Sequence, residues 1–238
     1  MTPTLQLALF DLDDTLFDHQ YSRRQGLLAL QHAYPALARI PLATLTTEHE
    51  RQLTASYDRV LDGAVSLETN RHERFQRLFL RCGVEMPAAE VEIALECYRQ
   101  AYKAHRRAVP GVMPLLTHLR PDVRIGVVTN GLRTVQQEKL VVCQLTGLVD
   151  FLLTSEEVGI KKPDPRLFLH ALERVKVQPA AAAVIGDSWA LDVMGAHRAG
   201  IRSLWLNRHQ EPCPDASLTT ELPAFEPLAR VLQALEAI

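Results

Sequence analysis

An apolar run from Leu5 to Phe10 stops abruptly at the acidic segment Asp11-Leu-Asp-Asp14. Asp11 and Asp13 stand two apart on a chain leaving that run, so both side chains enter one pocket if the chain bends helically after Asp11. A carboxylate is a competent phosphoryl acceptor, and a second carboxyl beside it can protonate a leaving oxygen and later activate water. Two like charges in one site also need a cation. Mg²⁺ prefers oxygen ligands, and two or three carboxylates with a substrate phosphate would complete its shell. The same pair also reads as a solvated acidic turn or a helix cap, so its spacing alone leaves both readings open.

The elements that must hold such a pair follow from the apolar pattern. Leu5–Phe10 has the continuous hydrophobicity of a buried parallel strand. Similar short runs recur at Val123–Val128, Phe151–Leu153, Ala182–Ile185 and Ser203–Leu206, and each ends in polar residues: Thr129-Asn-Gly131, Thr154-Ser155, Gly186-Asp-Ser188 and Asn207. Helical stretches at 113–119, 135–140, 164–175, 190–199 and 228–235 separate them. Alternating strands and helices imply right-handed crossovers, so the expected fold is α/β, a doubly wound parallel sheet. Ligands bind such sheets outside the carboxyl ends of the strands, where Asp11, Asp13, Thr129 and Asp187 stand. Each has a structural alternative: Thr129 as an N-cap, Asp187 as a turn residue, Lys162 as an exposed turn lysine.

One interval breaks the alternation. From about Phe17 to Arg107 no strand is evident, while apolar residues recur at helical spacing in Leu78 and Cys82 and in Val91, Ala94, Leu95 and Tyr98. This reads as an inserted helical domain, 17–107, in a core made of 1–16 and 108–238. Val109-Pro-Gly-Val112 suits the return. Arg71, His72 and Arg74 form a basic cluster inside the insertion; a solvated helix face explains them, and they are given no site role. Pro212 to Pro223 reads as a surface loop.

The segment from Leu5 to Asp18, Leu-Gln-Leu-Ala-Leu-Phe-Asp-Leu-Asp-Asp-Thr-Leu-Phe-Asp, resembles the opening motif hhhDxDxT of phosphatases in the haloacid dehalogenase superfamily. Three further motifs follow in that family's order: Thr129 in Val-Val-Thr-Asn-Gly131, Lys162 in Gly159-Ile-Lys-Lys-Pro-Asp-Pro165, and Asp187 in Val184-Ile-Gly-Asp-Ser188, with Asp192 as the usual second acidic position. The resemblance spans Leu5 to about Leu206. It implies Asp11 as nucleophile, Asp13 as acid and base, and Thr129 and Lys162 on the transferring phosphoryl group, with Asn130 and Gly131 as added amide donors. It implies Mg²⁺ held by Asp11, Asp187 and the backbone carbonyl of Asp13, supported by Asp192 and Ser188. The insertion takes the position of a helical cap, the part expected to set specificity. A small phosphoester is the implied substrate, a nucleoside monophosphate or a sugar phosphate. Within the superfamily, a 2-haloacid dehalogenase is disfavoured because that branch lacks a carboxylate at the position of Asp13, and a phosphosugar mutase differs only in where the phosphoryl group goes. A non-catalytic phosphoacceptor module fits poorly with the length and the insertion.

Composition narrows the partners. The 238 residues carry a formal net charge of −2, with 47% hydrophobic and 23% charged residues, an ordinary globular balance. No block of Lys and Arg offers a footprint for a polyanion, so nucleic acid is not an expected partner. No apolar stretch approaches the ~20 residues needed to span a bilayer, and Met1 to Phe10 lacks the basic start and cleavage site of a signal peptide. Cys82, Cys97, Cys143 and Cys213 are scattered without a CxxC pair, and Cys143 reads as a small buried apolar residue. The expectation is a cytoplasmic protein, monomer or homodimer, without membrane or nucleic-acid partners.

Overall fold

A computed structural model describes residues 4–236. The chain divides into two compact units, one running up to Asp18 and resuming at Arg107, the other formed by His19–Arg106.

The first unit is built on a six-stranded sheet: β1 (Leu7–Phe10), β2 (Arg124–Thr129), β3 (Phe151–Thr154), β4 (Ala182–Gly186), β5 (Arg202–Leu206) and β6 (Thr220–Leu222), in the order β3-β2-β1-β4-β5-β6. Every pairing is parallel. All four residues of β1 and all five of β4 are buried, as central strands covered by helices on both faces require. Leu7 pairs with Arg124 on one side and Ala182 on the other, so the carboxyl ends of β1, β2 and β4 finish together. The strand order reverses between β1 and β4, the switch point at which a crevice opens above a doubly wound sheet.

Helices Val112–Leu119, Arg133–Val142, Pro165–Val175 and Leu228–Glu236 accompany the sheet. The helix expected at 190–199 starts instead as a π-helical turn, Trp189–Val193, before an α-helical Met194–Arg198. The expected surface loop 212–223 contains β6, a short edge strand with no periodicity of its own. Its pairing with β5 makes it, together with the buried Leu222, whose carbonyl accepts from the Asn207 N–H at 2.8 Å. The core boundary also lies further along than 16 on the outward pass. Phe17 bridges to Ala108, the Asp18 N–H donates to Arg107 O at 3.0 Å, and the buried Asp18 carboxylate accepts from Arg107 at 2.8 Å and Arg208 at 3.1 Å. The two ends of the insertion are thus tied side by side within the core.

The second unit is helical: His19–Ala33, Leu42–Ser56, Leu67–Arg81 and Ala88–Ala104, with short turns at Pro35–Ala38 and Asp58–Leu61. Phe75, Leu78 and Phe79 on one helix and Val91, Ala94, Leu95 and Tyr98 on another supply much of its core at the three- and four-residue spacing of a buried helix face. The reading of Arg71, His72 and Arg74 as a solvated face fails for Arg74, which is buried in the row Asn70, Arg74, Leu78 that turns inward. Among the described residues no helix is long and apolar enough to cross a membrane, no disulfide forms, and Cys143 is buried.

Candidate active site

The loop after β1 begins by extending the sheet: the Asp11 N–H donates to Ile185 O at 2.9 Å, which sets Asp11 at the switch point. The chain then coils, with the N–H groups of Leu16 and Phe17 both donating to Leu12 O at 2.9 and 2.8 Å. Asp14 takes a left-handed φ of 62°, a conformation that a short polar side chain tolerates better than most. The chain thus bends helically after Asp11.

Three carboxylates converge there. Oxygens of Asp11, Asp187 and Asp192 all lie within 4.8 Å of one another. Asp187 follows β4; its N–H donates to Thr15 Oγ1 at 3.0 Å, Thr15 Oγ1 lies 3.1 Å from its Oδ1, and Trp205 Nε1 donates to its carbonyl at 2.7 Å. Asp192 arrives from the π-turn. Ser188 caps that turn by accepting from the Leu191 N–H at 3.3 Å, and the Ser188 N–H donates to Asp192 Oδ2 at 3.0 Å. Gly186 is essential to this approach, since a Cβ there would collide with the Asp192 carboxyl.

Lys162 enters the cluster, donating to Asp11 Oδ1 at 2.5 Å and to Asp192 Oδ1 at 2.7 Å, and is 4% exposed. Its backbone is clamped by Asn130, whose Oδ1 accepts from the Lys162 N–H at 2.8 Å and whose Nδ2 donates to the Lys162 carbonyl at 3.1 Å. One ammonium thus serves two of the three carboxylates, and the electrostatics follow. Burial and the nearby Asp192 and Asp13 push Asp11 up to about 7, against the opposing pull of Lys162. Burial, then Asp11 and Asp192, hold Asp187 well above the usual carboxylate range. Burial works to lower Lys162, but Asp11 and Asp192 together hold it above its ordinary range. The raised values mark acids that lack enough positive charge around them, and their hard oxygen donors are the set that Mg²⁺ fits.

Asp13 stands outside that trio. Both of its oxygens accept from Lys139 Nζ at 2.7 Å, and Oδ2 also accepts from Gln136 Nε2 at 3.2 Å. Gln136 Nε2 donates as well to Oγ1 of the buried Thr129 at 2.8 Å, so one side chain links the ends of β1 and β2. The Gly131 N–H donates to Ser155 Oγ at 3.1 Å. The Gly131 amide and the Asn130 side chain, both expected on the phosphate, are therefore engaged in building the loop and orienting Lys162. Sequence reasoning missed Gln136, Lys139, Thr15 and Ser155. The sequence carries no signal for the first two: that helix Arg133–Val142 buries Gln136 and Lys139 while Val141 and Val142 are exposed is decided by packing.

Comparison with known proteins gives the family. The family model for haloacid dehalogenase-like hydrolases matches residues 5–200. The chain is 29% identical over 223 residues to a glyceraldehyde 3-phosphate phosphatase of Methanopyrus kandleri, covering 93% of this chain and 92% of that one. It is 31% identical over 160 residues to pyrimidine 5′-nucleotidase YjjG of Escherichia coli, 67% of this chain and 69% of that one. Its fold matches that of YfnB from Bacillus subtilis, a HAD-hydrolase solved bound to magnesium, with a TM-score of 0.74 at 24% identity over 97% of this chain and 99% of that one. With its motifs in order on a parallel sheet and the family model covering most of its length, the chain belongs to the haloacid dehalogenase-like hydrolases.

Proposed function

We propose that this hydrolase is a phosphatase that releases inorganic phosphate from a small phosphorylated metabolite through an aspartyl-phosphate on Asp11. The observation that carries the reading is the convergence of Asp11, Asp187 and Asp192 with the ammonium of Lys162 at the switch point of the sheet. The phosphatase and nucleotidase names of the curated relatives support it.

Lys162 engages Oδ1 of Asp11, which holds the carboxylate and leaves its second oxygen for the substrate. In the first step that oxygen attacks phosphorus, the bond to the leaving oxygen breaks, and Asp13 delivers a proton to the departing alkoxide. In the second step Asp13 accepts a proton from water as the water oxygen attacks phosphorus, freeing Asp11 and phosphate. Lys162 and the Thr129 hydroxyl offset charge on the equatorial oxygens, the main task in phosphoryl transfer. Asp11 and Asp187 would hold Mg²⁺ with the carbonyl of Asp13, and Asp192, which accepts from Lys162 and from the Ser188 N–H, would support the site beside them. Bound there, the ion supplies positive charge to the carboxylates and to the phosphoryl oxygens. The inserted helical unit carries specificity.

A phosphate-release screen over nucleoside monophosphates, sugar phosphates and three-carbon phosphates, with and without Mg²⁺, tests the reading. Release that needs Mg²⁺ and disappears in Asp11→Asn is expected. Halide release from a 2-haloacid, or an isomerised phosphosugar in place of free phosphate, would replace this reading with another activity of the superfamily.

A further inference from the structure

The helical unit buries positive charge with little acidic counter-charge beside it. Arg23, His49 and Arg74 come from three helices and are 4%, 1% and 7% exposed. Nε of Arg23, Nε of Arg74 and both ring nitrogens of His49 are buried without a hydrogen-bond partner. Glu50 reaches Arg23 Nη2 at 3.5 Å from a side chain that is 56% exposed, and Arg74 has no acidic partner among the described residues. The surroundings are rings: His49 stacks on Tyr98 at 5.3 Å and meets Phe75 edge-on at 5.6 Å, and Tyr98 stacks on Tyr102 at 6.0 Å. Arg71 lies one helical turn before Arg74 on the same face.

Protonation follows the crowding. Burial lowers Arg71, Arg74 and His49, and neighbouring cations add to it: Arg99 for Arg71, Arg71 for Arg74, and Arg74 with Arg23 for His49. Buried charge without a counter-charge is strongly unfavourable, whereas guanidinium groups with open donors match the paired oxygens of a carboxylate or phosphate.

We propose that Arg23, Arg71, Arg74 and His49 form a binding site within the helical unit for the carboxylate or phosphate group of a small molecule. The site is defined within the helical unit itself, and the group it takes belongs to a small anion bound there.

Thermal unfolding of the full-length protein with malonate as probe, in metal-free buffer and against sodium chloride of equal ionic strength, tests the site directly. Malonate is expected to raise the Tm of the unmodified chain and of Asp11→Asn by several degrees and to leave Arg74→Met unmoved. Without malonate, Arg74→Met should unfold no earlier than the parent, because it removes an unpaired buried cation. If Arg74→Met does not fold, Arg71→Met, at a partly exposed position, carries the same comparison. The absence of a malonate-induced shift in the unmodified chain overturns the proposal, and so does a shift of equal size in the arginine variants. Failure of the phosphatase reading would appear instead as no phosphate release from any ester, with the malonate result still readable.

Discussion

At the scale of single residues, each carboxylate at the switch point has its own surroundings, and these set its role. Asp11 keeps one oxygen on Lys162, Asp192 spends both on Lys162 and the Ser188 N–H, and Asp13 is held away from them by Lys139 and Gln136. Asp11→Asn should abolish phosphate release, and Asp13→Asn should cut kcat by roughly 10²–10⁴-fold, the usual worth of a general acid; steady-state assays on one good substrate check both. Lys162→Met removes the cation from a nearly water-free cluster and leaves Asp11 and Asp192 facing each other. A loss of about 3–5 kcal/mol is expected for breaking such a buried pair, read as a lower denaturant midpoint. Mg²⁺ should protect the unmodified protein against denaturant and fail to protect Asp187→Asn.

At the scale of elements, the π-turn Trp189–Val193 decides which acid reaches the site. Ser188 caps it, Asp192 projects from it, and Gly186 at the end of β4 leaves the space the Asp192 carboxyl fills. Gly186→Ala should therefore displace the turn at a cost of about 1–3 kcal/mol, as overpacking does, and weaken protection by Mg²⁺ along with stability. Equilibrium unfolding with and without the ion checks this; equal protection in both proteins would show that Asp192 does not depend on the gap. The strands and main helices were legible in the order of apolar runs and polar stops. Neither the π-turn nor β6 was, because a turn with one extra residue and a three-residue edge strand have no periodicity and exist only through the partners they meet.

At the scale of the molecule, the helical unit adds a pH dependence of its own. His49 is buried as the neutral ring, with its pKa pushed well below 6.5 by burial and then by Arg74 and Arg23. In the unfolded chain it binds a proton below about pH 6.5, so there the unfolded state takes up more protons and stability falls as the pH drops. The limiting slope for one proton is about 1.4 kcal/mol per pH unit. Denaturant midpoints at pH 5 and pH 7.5 should differ more in the unmodified chain than in His49→Phe. Identical pH dependence in the two would mean that His49 titrates alike in both states.

Chemistry that rests on neighbours along the chain was readable beforehand. An apolar strand ending in Asp11, a second carboxyl two residues on, and hydroxyl, amine and acid residues after later strands are local facts, and a parallel sheet brings strand ends together whatever lies between. Contacts across long separations were not readable. Asp13 meets Lys139 across 126 residues, Asp192 enters the acidic trio through the shape of one turn, and Arg74 is buried because helices pack around it in a pattern that its own segment, rich in charge, does not reveal. Sequence patterning reports which face of an element prefers water on average. Packing settles the exceptions, and in this protein they are the charged groups drawn inside.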